Sequence, residues 1–135
     1  MSAAKNELVK SWLTKAKRDL ESAQRLSQEP DPYLDTAIYH CQQAAEKAIK
    51  GFLVFHDHRF EKTHDIEVLM QLAIAYNKDF SSWLDAGDTL TPYVAAYRYP
   101  GDVIEPSKEE FAEALKLADG IVSFVIKSLP KEVYP

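Results

Sequence analysis

Five polar side chains, Thr36, His40, Gln43, Lys47 and Lys50, recur at steps of four, three, four and three residues. That spacing lines them along one side of a helix. Gln42 and Glu46 lie beside the file, and Glu46 followed by Lys50 is the i,i+4 order that favours a helical ion pair. Two readings fit this pattern. It can be a solvated face laced by a salt bridge, or a groove of donors that holds a phosphate or a ribose. A second group stands at Lys62-Thr63-His64-Asp65, where a helix start would set an imidazole among free backbone N–H groups. There His64 can act as acid and base or bond a neighbouring backbone group. Arg59 precedes it by five residues and Arg98 lies far downstream.

These groups need a helical frame, and the apolar pattern supplies one. Val9, Leu13, Ala16, Leu20 and Ala23 alternate steps of four and three, predicting a first helix over 7–27. Glu29-Pro30-Asp31-Pro32 ends it. Asp31 as N-cap and Pro32 at the first helical position then open a second helix. Its stripe runs Leu34, Ile38, Cys41, Ala45, Ala48, Phe52, Phe55, and Ala44, Ala45 and Ala48 allow close approach by a helix of this chain or of a second copy. Thr63 is expected to cap a third helix. Residues 79–99 read as a fourth helical region, broken near Gly87 or restarted at Thr91-Pro92. Pro106-Ser107 opens the last helix with a capping box from Ser107 to Glu110, and Pro130 stops it. No segment alternates with a period of two. The expectation is an all-α, antiparallel up-and-down bundle of four long helices plus a shorter one, forming a single domain over 1–135.

Composition narrows the function classes. At 135 residues and 46% hydrophobic the chain can bury one core without metals or disulfides. A single cysteine, Cys41, falls on an apolar stripe, which suits a reducing compartment and a core role. No apolar run reaches membrane-spanning length, and the first residues lack a signal peptide's apolar core, so a cytoplasmic setting is expected. Net charge is −5, with residues 1–30 at +2 and every later region acidic. Contacts to nucleic acid would therefore come from a local patch, and the dense candidate is Lys47, Lys50, Arg59 and Lys62 with His56, His58 and His64. His56-x-His58 also admits a metal reading, but it lacks further ligands on rigid elements, and no metal site or cofactor is assigned.

The segment from Ala37 to Lys50, with its Gln43-x-x-Glu46-Lys47-x-x-Lys50 pattern, resembles the HEPN superfamily, as do Lys62-Thr63-His64-Asp65 and Arg98-Tyr99-Pro100. The resemblance implies a helical bundle that dimerises and binds nucleotides or RNA. It implies that Lys47, Lys50 and Arg98 neutralise phosphate while Gln43 and His64 donate hydrogen bonds, with Glu46, Lys62 and Asp65 beside them; His40, from the polar file, completes the expected ligand-binding set. It further implies a small nucleotidyltransferase as protein partner in a toxin–antitoxin-type system. An alternative is a metal-independent RNA endonuclease toxin that uses Arg59 or Arg98 with His64. The family's ribonuclease motif is an arginine followed four to six residues later by histidine. Arg59 and His64 match it, with Phe60 where that motif usually has a polar residue, whereas Asp102, Val103 and Ile104 occupy those positions after Arg98. A third alternative is a purely structural dimerisation and docking domain.

Overall fold

The structure, a computed structural model, describes residues 2–101 and 105–135; Asp102, Val103 and Ile104 lie outside the described residues. Five α-helices follow one another: α1 Ala3–Leu26, α2 Leu34–Phe55, α3 Ile66–Ile74, α4 Leu84–Leu90 and α5 Lys108–Lys127. Short 3₁₀ turns at Lys78–Trp83, Thr91–Val94 and Lys131–Val133 punctuate them. The all-α bundle is as expected. The lengths differ from expectation, because three helices are long (24, 22 and 20 residues) and two are short (9 and 7). Among the described residues no helix is long and apolar enough to cross a membrane.

The short fourth region has a local cause. Pro92 has no N–H to continue the α-ladder, and Thr91 donates its hydroxyl to the Gly87 carbonyl at 2.8 Å. The same hydroxyl accepts from the Ile66 N–H at 3.1 Å, tying this break to the start of α3. Asn77 caps the preceding turn by accepting from the Asp79 N–H at 3.0 Å.

Helix starts also moved. α1 begins earlier than its apolar stripe because Ser2 accepts from the Lys5 N–H at 3.1 Å. α2 begins at Leu34, since the Tyr33 N–H turns back to the Leu26 carbonyl at 2.7 Å and leaves Asp31 and Pro32 in the connection. Asp65, not Thr63, caps α3. Its carboxylate accepts from the Glu67 and Val68 N–H groups at 3.0 and 3.3 Å, while Thr63 accepts from the Asp65 N–H. At α5 only half of the capping box forms. Ser107 accepts from the Glu110 N–H at 3.0 Å, and the Glu110 carboxylate is taken elsewhere.

α2 is the central rod, packed by α1, α5 and α3. Its stripe Leu34, Ile38, Cys41, Ala45, Ala48 and Phe52 is buried, and Ala44, Ala45 and Ala48 are covered by helices of the same chain. Val9, Leu13, Ala16 and Ala23 meet it from α1, Ile66, Leu69 and Met70 from α3, and Ala118, Ile121, Val122 and Val125 from α5. Gly120 is required where α5 passes Trp83, because a Cβ there would stand 2.6 Å from the indole ring.

Candidate functional site

Glu46 lies at the middle of the polar file and is 4% exposed. Its Oε2 accepts from Lys50 Nζ at 2.9 Å, and its Oε1 accepts from His64 Nδ1 at 2.9 Å and from Gln42 Nε2 at 3.0 Å. Gln42 also donates to the His64 carbonyl at 2.9 Å, and Gln43 Nε2 donates to Gln42 Oε1 at 2.7 Å. Burial alone would raise the Glu46 carboxyl. Hydrogen bonds from Lys50, Gln42 and His64, with the charge of Lys50, outweigh it and hold the group below the usual carboxylate range.

This part of the file is therefore an internal network and not a solvated face. The segment after α2 folds across it, bringing the Phe60 ring to 5.8 Å from Lys50 Nζ. Lys50 and Gln42 are buried with it. His64 is the outward member, with 58% of its side chain exposed.

A second carboxylate organises the other edge of the file. Asp19 of α1 is buried; its Oδ1 meets His40 Nδ1 at 2.8 Å and its Oδ2 accepts from Lys47 Nζ at 2.7 Å. The charges of Lys47 and Lys50 are thus both taken by buried acids. The two histidines share one consequence. A carboxylate can only accept, so Nδ1 carries a proton in each pair, and in the neutral form of either ring Nε2 is an acceptor.

Beyond His40, the side chains of Asp35, Thr36, Tyr39, His40, Tyr97 and Arg98 enclose a notch of about 200 Å³. The Arg98 guanidinium lies over the Tyr39 ring, 4.0 Å from its centroid, and donates through Nη1 to the Val94 carbonyl at 3.1 Å. Tyr97 reaches this place through a left-handed backbone, φ 68°, which costs a non-glycine residue roughly 1 kcal/mol. Its hydroxyl donates to Glu110 at 2.8 Å, and the Tyr93 hydroxyl donates to the same carboxylate at 2.7 Å. Those bonds oppose ionisation of both phenols: Glu110 chiefly raises Tyr97, while burial followed by Glu110 raises Tyr93. Glu110 thereby moors the segment that carries Arg98 to the first turn of α5.

The remaining candidates scatter. Arg59 and Lys62 are exposed; they line grooves with Phe60, Val68 and Leu72 that do not include His64, so the five-residue spacing does not place Arg59 and His64 in one cavity. Asp65 is occupied as the α3 cap. His56 and His58 are both engaged by Tyr76. His56 stacks on Tyr76 with ring centroids 4.4 Å apart, and His58 Nδ1 meets the Tyr76 hydroxyl at 2.5 Å. Burial, then the charge of Lys5, lowers His56 below the ordinary imidazole value. Asp19, Tyr39, Tyr97 and Glu110 were not read as site residues from the sequence. Asp19 had a visible signal, since it sits between Ala16 and Ala23 on an otherwise apolar stripe.

Comparison with known proteins matches the sequence and fold to a family. The model of the HEPN domain matches residues 9–129. A Methanocaldococcus jannaschii protein named "Putative toxin MJ1304" is 31% identical over 141 aligned positions, covering 93% of this chain and 90% of its own. The crystal structure of TT1696 from Thermus thermophilus superimposes with a TM-score of 0.71 at 29% identity, covering 90% of this chain and 98% of that one. The crystal structure of ST0689, an archaeal HEPN homologue, gives 0.69 at 27% identity over 89% and 96% of the two chains. With the match running through α1 to α5, the chain belongs to the HEPN domain family.

Proposed function

We propose that this domain binds RNA or nucleotides in the Arg98 notch, and that it works in the cytoplasm as a homodimer with a small nucleotidyltransferase in a toxin–antitoxin-type pair. One observation carries the binding role. Arg98 lines the notch and has no carboxylate within ion-pair distance among the described residues, whereas Lys47 and Lys50 of the polar file are each paired with a buried acid. Its guanidinium is held over the Tyr39 ring with donors left over, and such a fork matches a phosphate. At about 200 Å³ the notch is smaller than the roughly 300–1,000 Å³ of sites that enclose a whole small molecule. It suits one sugar-phosphate unit of a ligand that extends over the surface. The similarity to a protein named as a toxin supports the toxin–antitoxin setting, and sedimentation of the pure chain tests the dimer, which a monomer mass at micromolar concentration would remove.

The binding role is tested by titrating labelled single-stranded RNA at several salt concentrations. Arg98→Ala is expected to weaken binding by about tenfold or more and to lower the salt slope by about one. Unchanged affinity and slope would end this reading.

His64 favours a second reading, that of an RNA endonuclease. Its ring is exposed, its Nδ1 is fixed on the buried Glu46, and its Nε2 has the lone pair a general base needs. Under that reading the parent cleaves RNA in chelator and His64→Ala does not. Intact RNA with the parent would exclude it.

A further inference from the structure

We infer that His40 makes the notch selective for ribose over deoxyribose, with the phosphate on Arg98 and the 2′-hydroxyl donating to His40 Nε2. The inference deepens the Arg98 reading and rests on it. Asp19 fixes the direction of the imidazole. The carboxylate is 7% exposed, one oxygen is occupied by Lys47 Nζ at 2.7 Å, and the other lies 2.8 Å from His40 Nδ1. The Nδ1 proton is held toward the carboxylate, and in the neutral form of the ring the far nitrogen of this notch-lining side chain has a lone pair to offer a donor.

A phosphate oxygen is also an acceptor, so it does not complement that nitrogen. What fits is an O–H or N–H donor close to a phosphate. In a nucleic acid chain the 2′-hydroxyl meets this description, because the 3′ and 5′ oxygens are esterified and the donors of the bases lie farther out. The 2′-hydroxyl is the group through which proteins separate RNA from DNA. Both halves of the proposed contact share one wall: His40 and Arg98 line the same notch, each packed against Tyr39, His40 edge-on at 5.5 Å between ring centroids and Arg98 over the face.

The test uses the full chain and three labelled pentanucleotides of one sequence, in ribo, deoxyribo and 2′-O-methyl form, with chelator present. The 2′-O-methyl strand keeps a ribose-like pucker but cannot donate from its 2′ oxygen. The ribo strand is expected to bind about tenfold tighter than either of the others. His40→Phe, which keeps a flat ring without the acceptor, is expected to bind all three strands alike, with its thermal midpoint reporting whether it has folded. Equal affinity of the parent for ribo and deoxyribo strands overturns the inference and leaves the Arg98 reading standing. A preference that survives in folded His40→Phe also overturns it. If no strand binds the parent at low salt, the Arg98 reading falls and this one with it.

Discussion

Glu46→Ala is expected to lower stability by roughly 3–5 kcal/mol, since removing one member of a buried ion pair strands the other. The stranded group would be Lys50, 7% exposed, whose ammonium has Glu46 as its partner at 2.9 Å. Gln42 and His64 would lose an acceptor as well. A loss of that size lowers the melting midpoint by on the order of 10 °C for a chain of this length. Replacing both charges, with Glu46→Leu and Lys50→Met together, is expected to recover much of the loss, because neither charge is then buried alone. A double variant no more stable than the single one would show that hydrogen bonds to Glu46, and not the pair, dominate. Acid gives an independent check. The folded carboxyl is held below its unfolded value, so its contribution is complete above the unfolded value and is lost as pH falls through the folded one. The gap between parent and Glu46→Ala should therefore narrow in acid below about pH 4. A constant gap would contradict the assigned shift.

Phe52→Ala should be comparably damaging, at roughly 3–5 kcal/mol, for a wholly apolar reason. Phe52 is 1% exposed, and its ring centroid lies 4.6 Å from those of both Phe80 and His56, with Tyr76 at 6.5 Å. It thus joins α2 to the 3₁₀ turn after α3, and alanine there would leave a void lined largely by aromatic rings. Phe52→Leu retains most of the volume and should cost less than about 1.5 kcal/mol. Urea unfolding decides the matter: a shifted midpoint with unchanged slope reports lost packing. Equal midpoints for the two variants would mean that the site collapses around alanine.

Where one residue type dominates a periodic position, the fold was legible. The stripe from Leu34 to Phe52 is buried as its spacing required, because four-three repetition has few solutions other than a helix against a core. The region after Asn77 was less legible. There Pro92, the Thr91 hydroxyl and the Asn77 side chain divide the backbone bonds among three short turns. The cap of α3 was a competition between neighbours, Thr63 and Asp65, which only the backbone path decides. At the site, the Glu46–Lys50 pair followed from spacing alone. Its burial did not, since the covering Phe60 and His64 lie on a loop that the helix pattern cannot position. Likewise no local signal shows that Tyr97 turns left-handed and carries Arg98 onto Tyr39.

Cys41 gives the chain a built-in clock. It is fully buried, and desolvation pushes its thiol up to about 12. Thiols react as thiolates, so burial suppresses the reactive form in the folded protein and also walls it off from reagent. Alkylation of native protein therefore counts openings of the bundle, not encounters at its surface. Any assembly of two folded copies must likewise hold together without a covalent bridge, and a disulfide-linked pair would be a record of chains that had already come apart.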